Sequence, residues 1–351
     1  MIRRLRNTRK PFLRLAGLTA ALIVVTGCGG GGGSDEDEAT DGLVPIVLQT
    51  DWYAQPEHGG FYHALAEGYY EEAGLDVTIR QGGPNALAME SILIGRAQFA
   101  LGRSDDVIYN IYRDRPVKIA MALMQHDPQA LLLHEDNPVD NLAELAGASV
   151  MVAPGSNFIK MMELKYDYTL NIVPLDYGME RFLADPEFIQ QCFVTNEPYY
   201  AEKNGVDVKT ILISESGFDP YRVVFSSTEF LEENPEVAHQ FVAASIRGWT
   251  DYLESSPDSE ANQTIISINP KMEPDFVRYA INAMVEKKLV AGYPEKGEAI
   301  GKIKPERIAR QVDQLNTIGL IDKQIPVDRI VEFSVLPEAI QPDAPLETAA
   351  N

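Results

Sequence analysis

Apolar and polar positions along this chain fall into short blocks that switch repeatedly between two periods. Val44 to Gln49 is an apolar run bounded by Gly42 and Asp51, and Phe61 to Ala73 repeats at helical spacing before Gly74, a natural C-cap. Leu75 to Arg80 then alternates as a strand. Gly82-Gly83-Pro84 turns the chain into a helix over Ala86 to Ile94, followed by a strand over Gln98 to Leu101. Asp105 to Arg113 and Val117 to Met124 repeat helix and strand. Strictly alternating elements of this kind predict an α/β architecture, a mostly parallel sheet flanked by helices, with sites at the carboxyl ends of the strands.

A second set follows: strands at Ala130 to His134, Ser149 to Val152, Gln191 to Val194 and Val208 to Ser214, with helices at Phe158 to Tyr168, Met179 to Ala184 and Pro198 to Lys203. One further strand, Val223 to Ser226, precedes long amphipathic helices around Pro235 to Leu253, Pro274 to Lys288 and Pro305 to Leu315. The order predicts a first lobe over 43–127, a second over 128–220 and a return to the first over 221–336, with a flexible tail over 337–351. The chain then crosses between lobes twice, near Gln125 to Gln129 and near Phe218 to Ser226, and two crossings make a hinge.

The first residues change the picture of where this body sits. Arg3, Arg4, Arg6, Arg9, Lys10 and Arg14 precede an apolar stretch from Leu15 to Val25, the order of a secretory signal over 1–27. About eleven apolar residues are too few for a bilayer-spanning helix, which takes about twenty. Val25-Thr26-Gly27-Cys28 resembles a bacterial lipobox, which implies lipidation of Cys28. Residues 28–42, Gly-rich and then acidic, lack the apolar surface to fold and read as a tether. Cys192 is left without a disulfide partner.

The chain carries 30 basic and 52 acidic residues, and the leader removes six basic residues and no acid, leaving 24 against 52. Nucleic acid and anionic membrane surfaces are poor partners for such a body. Nothing in the sequence points to an oligomer, so a monomer is expected. No metal-ligand spacing, nucleophile elbow or phosphate loop occurs in the sequence, and no cofactor is expected.

The run Thr50-Asp51-Trp52-Tyr53, Glu57-His58-Gly59-Gly60-Phe61-Tyr62, Ala66-Glu67-Gly68-Tyr69-Tyr70 and Ala73-Gly74-Leu75-Asp76-Val77 closely resembles the opening of the thiamine-pyrimidine-precursor-like binding proteins. That family stands beside the aliphatic sulfonate, taurine and nitrate binding proteins of ABC importers. Ile94-Gly95, Phe99-Ala100-Leu101-Gly102, Leu145-Ala146-Gly147, Asn196-Glu197-Pro198 and Glu233-Asn234-Pro235-Glu236 match in the same order. The resemblance implies the two-lobed periplasmic binding fold of type II and a solute handed to an ABC permease and its ATPase.

Candidate ligand groups follow from strand ends and helix starts. Trp52 and Tyr53 follow the first strand, Phe61 and Tyr62 open the first helix, and such rings stack on flat heterocycles, or else pack in the core. His58 is a possible donor or a capping residue. Gly155-Ser156-Asn157 offers backbone N–H groups and a hydroxyl at a helix start, or plain N-caps. Asn196 and Glu197 can recognise the N–H groups of an amino-heterocycle, with capping as the alternative for Asn196. Arg103, Ser104, Asp105 and Tyr177 complete the set. The expected ligand is a thiamine-type pyrimidine, with riboflavin next and an alkanesulfonate third, because no arginine pair stands out in these loops.

An enzyme is the competing class. A eukaryotic branch of the same fold makes the thiamine pyrimidine from pyridoxal phosphate and its own histidine, using a cysteine-rich run and a cofactor lysine. This sequence has only Cys28 and Cys192, no Lys between Lys10 and Lys118, and Asp105-Asp106 where that histidine is expected. A scaffolding lipoprotein that uses the fold without a ligand is the third class, and it predicts a cleft without convergent polar groups.

Overall fold

A computed structural model describes residues 42–342, so the secretion signal, Cys28 and most of the tether lie outside the described residues. Ten strands form two five-stranded sheets. The first contains β1 (Val44–Gln49), β2 (Leu75–Arg80), β3 (Phe99–Arg103), β4 (Val117–Met124) and β10 (Arg222–Ser227), in the order β2-β1-β3-β10-β4. The second contains β5 (Gln129–His134), β6 (Ser149–Val152), β7 (Asn171–Pro174), β8 (Ile189–Phe193) and β9 (Val208–Leu212), in the order β7-β6-β8-β5-β9.

Each sheet is mixed. Strands β1, β2 and β3 pair in parallel, but β10 returns from the other lobe and pairs antiparallel with both β3 and β4. Likewise β5 enters directly from β4 and pairs antiparallel with β8 and β9. The two sheets are thus the same design, four strands of one direction with one crossing strand of the other. Residues 125–128 and 213–221 connect the sheets.

The helices bury the faces of these sheets. The helical stretch from Phe61 to Ala73 splits into Gly59–Ala66 and Tyr69–Glu72 at Gly68, whose φ of 72° no helix accommodates. The first piece packs on the long helix Pro235–Tyr252 so closely that a Cβ at Gly60 would sit 2.2 Å from the Trp249 ring. Phe61, Trp249, Tyr252, Tyr70, Phe99 and Phe241 are all fully buried around that contact. This packing anchors the loop 50–58, which follows β1 and reaches the space between the sheets.

Three elements lie beyond the sequence-based expectations. Strand β7 is mostly exposed and ends at Pro174, tolerated because it is an edge strand. Helices Thr228–Glu233 and Glu260–Ile268 were not anticipated from the sequence. Part of the tail expected to be flexible from Pro337 is structured: Glu338–Ile340 forms a 3-10 turn, and the Ile340 side chain lies against Gly301. No helix among the described residues is long and apolar enough to cross a membrane.

Candidate functional site

A cavity of about 190 Å³ lies between the two sheets. From the first lobe it is lined by Asp51, Trp52, Gln55, Glu57 and His58 after β1, by Leu123 and Met124 at the end of β4, and by Arg222 at the start of β10. From the second come Gln129 at the start of β5, Ala153 after β6, Leu175 and Tyr177 after β7, Gln191, Cys192 and Phe193 at the end of β8, and then Asn196 and Glu197. The parallel strands therefore offer their carboxyl ends, whereas the antiparallel β10 and β5 offer their amino ends. Arg222 pairs in register with Arg103, and Gln129 with Phe193, which places both at the cleft edge.

Two aromatic rings meet across the cleft. The Trp52 and Tyr177 ring centroids are 5.3 Å apart and inclined by 37°. A flat ligand held between them requires about 7 Å, two stacking gaps of about 3.5 Å, so one ring must move aside when such a ligand is sandwiched. Tyr177 is suited to moving: it is 53% exposed and holds a left-handed φ of 63°, which costs a non-glycine residue about 1–2 kcal/mol.

The cavity's charges are unequal. Asp51 pairs with the Arg222 guanidinium and lies 3.4 Å from His58 Nε2. Burial pushes the Asp51 carboxyl up, but Arg222 and His58 outweigh it and hold it well below the usual carboxylate range. Glu57 is 3% exposed; its Oε1 accepts from the Thr195 hydroxyl of the other lobe at 2.5 Å, and its Oε2 has no partner. Burial raises its carboxyl despite that bond. Glu197 is pushed up to about 7 by burial and by the nearby Glu57, although its Oε2 accepts from the Phe193 N–H at 2.8 Å. The site thus holds one ion pair and two carboxyls short of donors.

Of the residues singled out from sequence, the structure brings Trp52, His58, Tyr177, Asn196 and Glu197 to one cavity. The others lie outside its lining. Phe61 is fully buried in the helix packing, edge-on to Trp249 at 5.8 Å, and Tyr62 is also buried. Tyr53 is 45% exposed and supports the edge of Trp52 from outside at 5.5 Å. Ser104 donates to Gln311 Oε1 at 2.6 Å and accepts the Tyr221 N–H at 3.0 Å, so its hydroxyl fastens β10. Ser156 donates to the Ala153 carbonyl at 2.8 Å, and neither it nor Asn196 caps its helix through the side chain. Asp105 and Asn157 bond to each other, Asn157 Nδ2 donating to Asp105 Oδ2 at 2.8 Å. Sequence reasoning passed over Glu57 and Arg222. Glu57 lies inside the motif around His58, while Arg222 opens a strand whose reversed direction was not legible. Among the described residues no cluster of three or more His, Cys, Asp or Glu is arranged to hold a metal ion.

Residues 55–259, more than half of the chain, match the family model described as NMT1/THI5 like. The chain belongs to the NMT1/THI5-like family. It is 23% identical over 226 residues to the riboflavin-binding protein RibY of Chloroflexus aurantiacus, covering 62% of this chain and 64% of that one. It is 22% identical over 268 residues to the formylaminopyrimidine-binding protein of Halalkalibacterium halodurans, covering 71% and 77%. The chain thus spans just under two thirds of the first relative and more of the second. The periplasmic sulfonate-binding protein SsuA from Methylobacillus flagellatus KT superposes with a TM-score of 0.57 at 14% identity, over 83% of this chain and 92% of that one, which shows the shared two-lobed fold. The matched NMT1/THI5-like segment contains every cavity-lining residue except Asp51 and Trp52.

Proposed function

We propose that this protein is the solute-binding component of an ABC importer, taking a small heteroaromatic solute such as an aminopyrimidine between its lobes and delivering it to the permease. The observation that carries this reading is the cavity itself: an aromatic platform, Trp52, on one side and two donor-poor carboxyls, Glu57 and Glu197, on the other. An aminopyrimidine presents a flat face for the first and N–H groups for the second. Both curated relatives carry the names of flat heterocyclic ligands, in agreement with this.

A sulfonate fits less well, because Arg222 is already neutralised by Asp51 and the remaining charges would repel an anion. Convergent polar groups favour a binding role over a scaffolding one. No catalytic role is assigned to Cys192, which is buried and whose thiol burial pushes far up, away from the nucleophilic thiolate. The protein is further proposed to be exported and held by a lipid on Cys28, with the body in the periplasm or on the outer surface as a monomer.

Thermal-shift screening of the mature protein against aminopyrimidines, flavins and alkanesulfonates tests the ligand class. Stabilisation by an aminopyrimidine or flavin is the expected outcome. Stabilisation by sulfonates alone contradicts the reading.

A further inference from the structure

The contact between Asp105 and Asn157 joins the two lobes at a point outside the cavity lining. Asp105 stands on the helix Ser104–Tyr112 after β3, and Asn157 is the first residue of the helix Asn157–Tyr166 after β6. Asp105 is fully buried, and its carboxylate is saturated from two sides: Arg103 donates through Nε at 3.0 Å and through a terminal nitrogen at 2.5 Å, and Asn157 donates at 2.8 Å. Arg103 is itself only 8% exposed. A guanidinium so placed needs an anion beside it, because an unpaired buried charge is strongly destabilising. The chain supplies that anion from two residues away in sequence, and the same carboxylate then reaches across to the other lobe.

We propose that Asp105 and Asn157 form a latch that holds the lobes closed, and that Asp105 does so while filling the anion position of Arg103, so that this arginine is withheld from anionic solutes. The second half rests on the solute-capture reading; the first does not. With Asp51 neutralising Arg222 in the same manner, both buried arginines that β3 and β10 bring to this edge are matched by carboxylates of the chain itself. An incoming sulfonate or phosphate must displace a carboxylate to find a cation, and displacing Asp105 would also undo the contact between lobes. Selection against anions and closure are thereby coupled through one side chain.

The latch is tested on the mature protein carrying spin labels on cysteines at Glu90 and Lys160, exposed positions on helices of the first and second lobes, with Cys192 left buried. Asn157→Asp keeps the side-chain shape and sets a second carboxylate against Asp105. Loss of a hydrogen bond to a charged acceptor shifts the closed-to-open ratio on the order of tenfold, and the added repulsion increases the shift. Double electron–electron resonance is expected to show the inter-label distance of Asn157→Asp moving to longer values. Superimposable distance distributions for native and variant proteins overturn the latch.

The anion position is tested with Asp105→Ala and formate as the probe. Formate is expected to raise the melting temperature of Asp105→Ala in a saturable manner and to leave the native protein unchanged. If the variant folds poorly, its refolding yield gives the same reading and is expected to rise with formate. A variant indifferent to formate in both measurements overturns the assignment. Neither readout uses a solute, so failure of the ligand screen and failure of the latch are separate results.

Discussion

Replacing Glu197 by Gln should make the protein more stable at pH 8 and change little at pH 4. The substitution keeps the shape and retains an oxygen for the Phe193 N–H, which the native side chain accepts at 2.8 Å. What it removes is a charge that burial and the neighbouring Glu57 disfavour, which together raise the carboxyl from 4.5 to about 7. A carboxyl raised in the folded state keeps its proton to higher pH than in the unfolded chain. Stability is then full below pH 4.5 and declines as pH rises toward 7. At 1.36 kcal/mol per unit, the cost at pH 8 is roughly 3 kcal/mol, an order-of-magnitude figure since Glu197 is only partly buried. Urea unfolding of native and variant proteins at pH 4, 6 and 8 measures the difference directly. Glu57 and Asp127 are also raised by burial and tilt the native profile in the same direction, but they remain in the variant. A Glu197→Gln variant equal to or less stable than the native protein at pH 8 would refute the reasoning.

Asp51→Asn leaves Arg222 without its charged partner and should strengthen binding of an alkanesulfonate about tenfold, read by competition or calorimetry. Gly60→Ala forces a Cβ to within 2.2 Å of Trp249 and should destabilise the protein by about 1–3 kcal/mol, seen as a lower midpoint in thermal unfolding. Cys28→Ser should move the protein from the detergent phase to the aqueous phase without altering the circular dichroism of the body.

Strands with strong apolar runs were legible to the residue: Val44–Gln49, Leu75–Arg80, Val117–Met124 and Ser149–Val152 have the bounds that periodicity predicts. Strand β7 was not, because an exposed edge strand needs no apolar pattern and Pro174 argues against one. The site was half legible for a related reason. The rule that ligands gather at the carboxyl ends of strands leads to Trp52, Asn196 and Glu197, but it presumes strands of one direction. Where β10 and β5 reverse, the cleft takes residues from their beginnings, and Arg222 and Gln129 enter by that route. Ser104, Asp105, Ser156 and Asn157 have the chemistry of ligand groups, yet their hydrogen bonds are consumed within the protein. Residue type alone does not separate a group that meets a ligand from one that meets its neighbour.

The central claim is that a flat heterocycle is held on the Trp52 ring. Calorimetric titration of native protein and Trp52→Ala with an aminopyrimidine or flavin identified in the thermal-shift screen tests it most directly. Loss of one stacking platform costs about 1–3 kcal/mol, so the variant should bind about 5- to 150-fold more weakly while melting like the native protein. Equal affinity for the two proteins, or tight binding of an alkanesulfonate to both, would contradict the account.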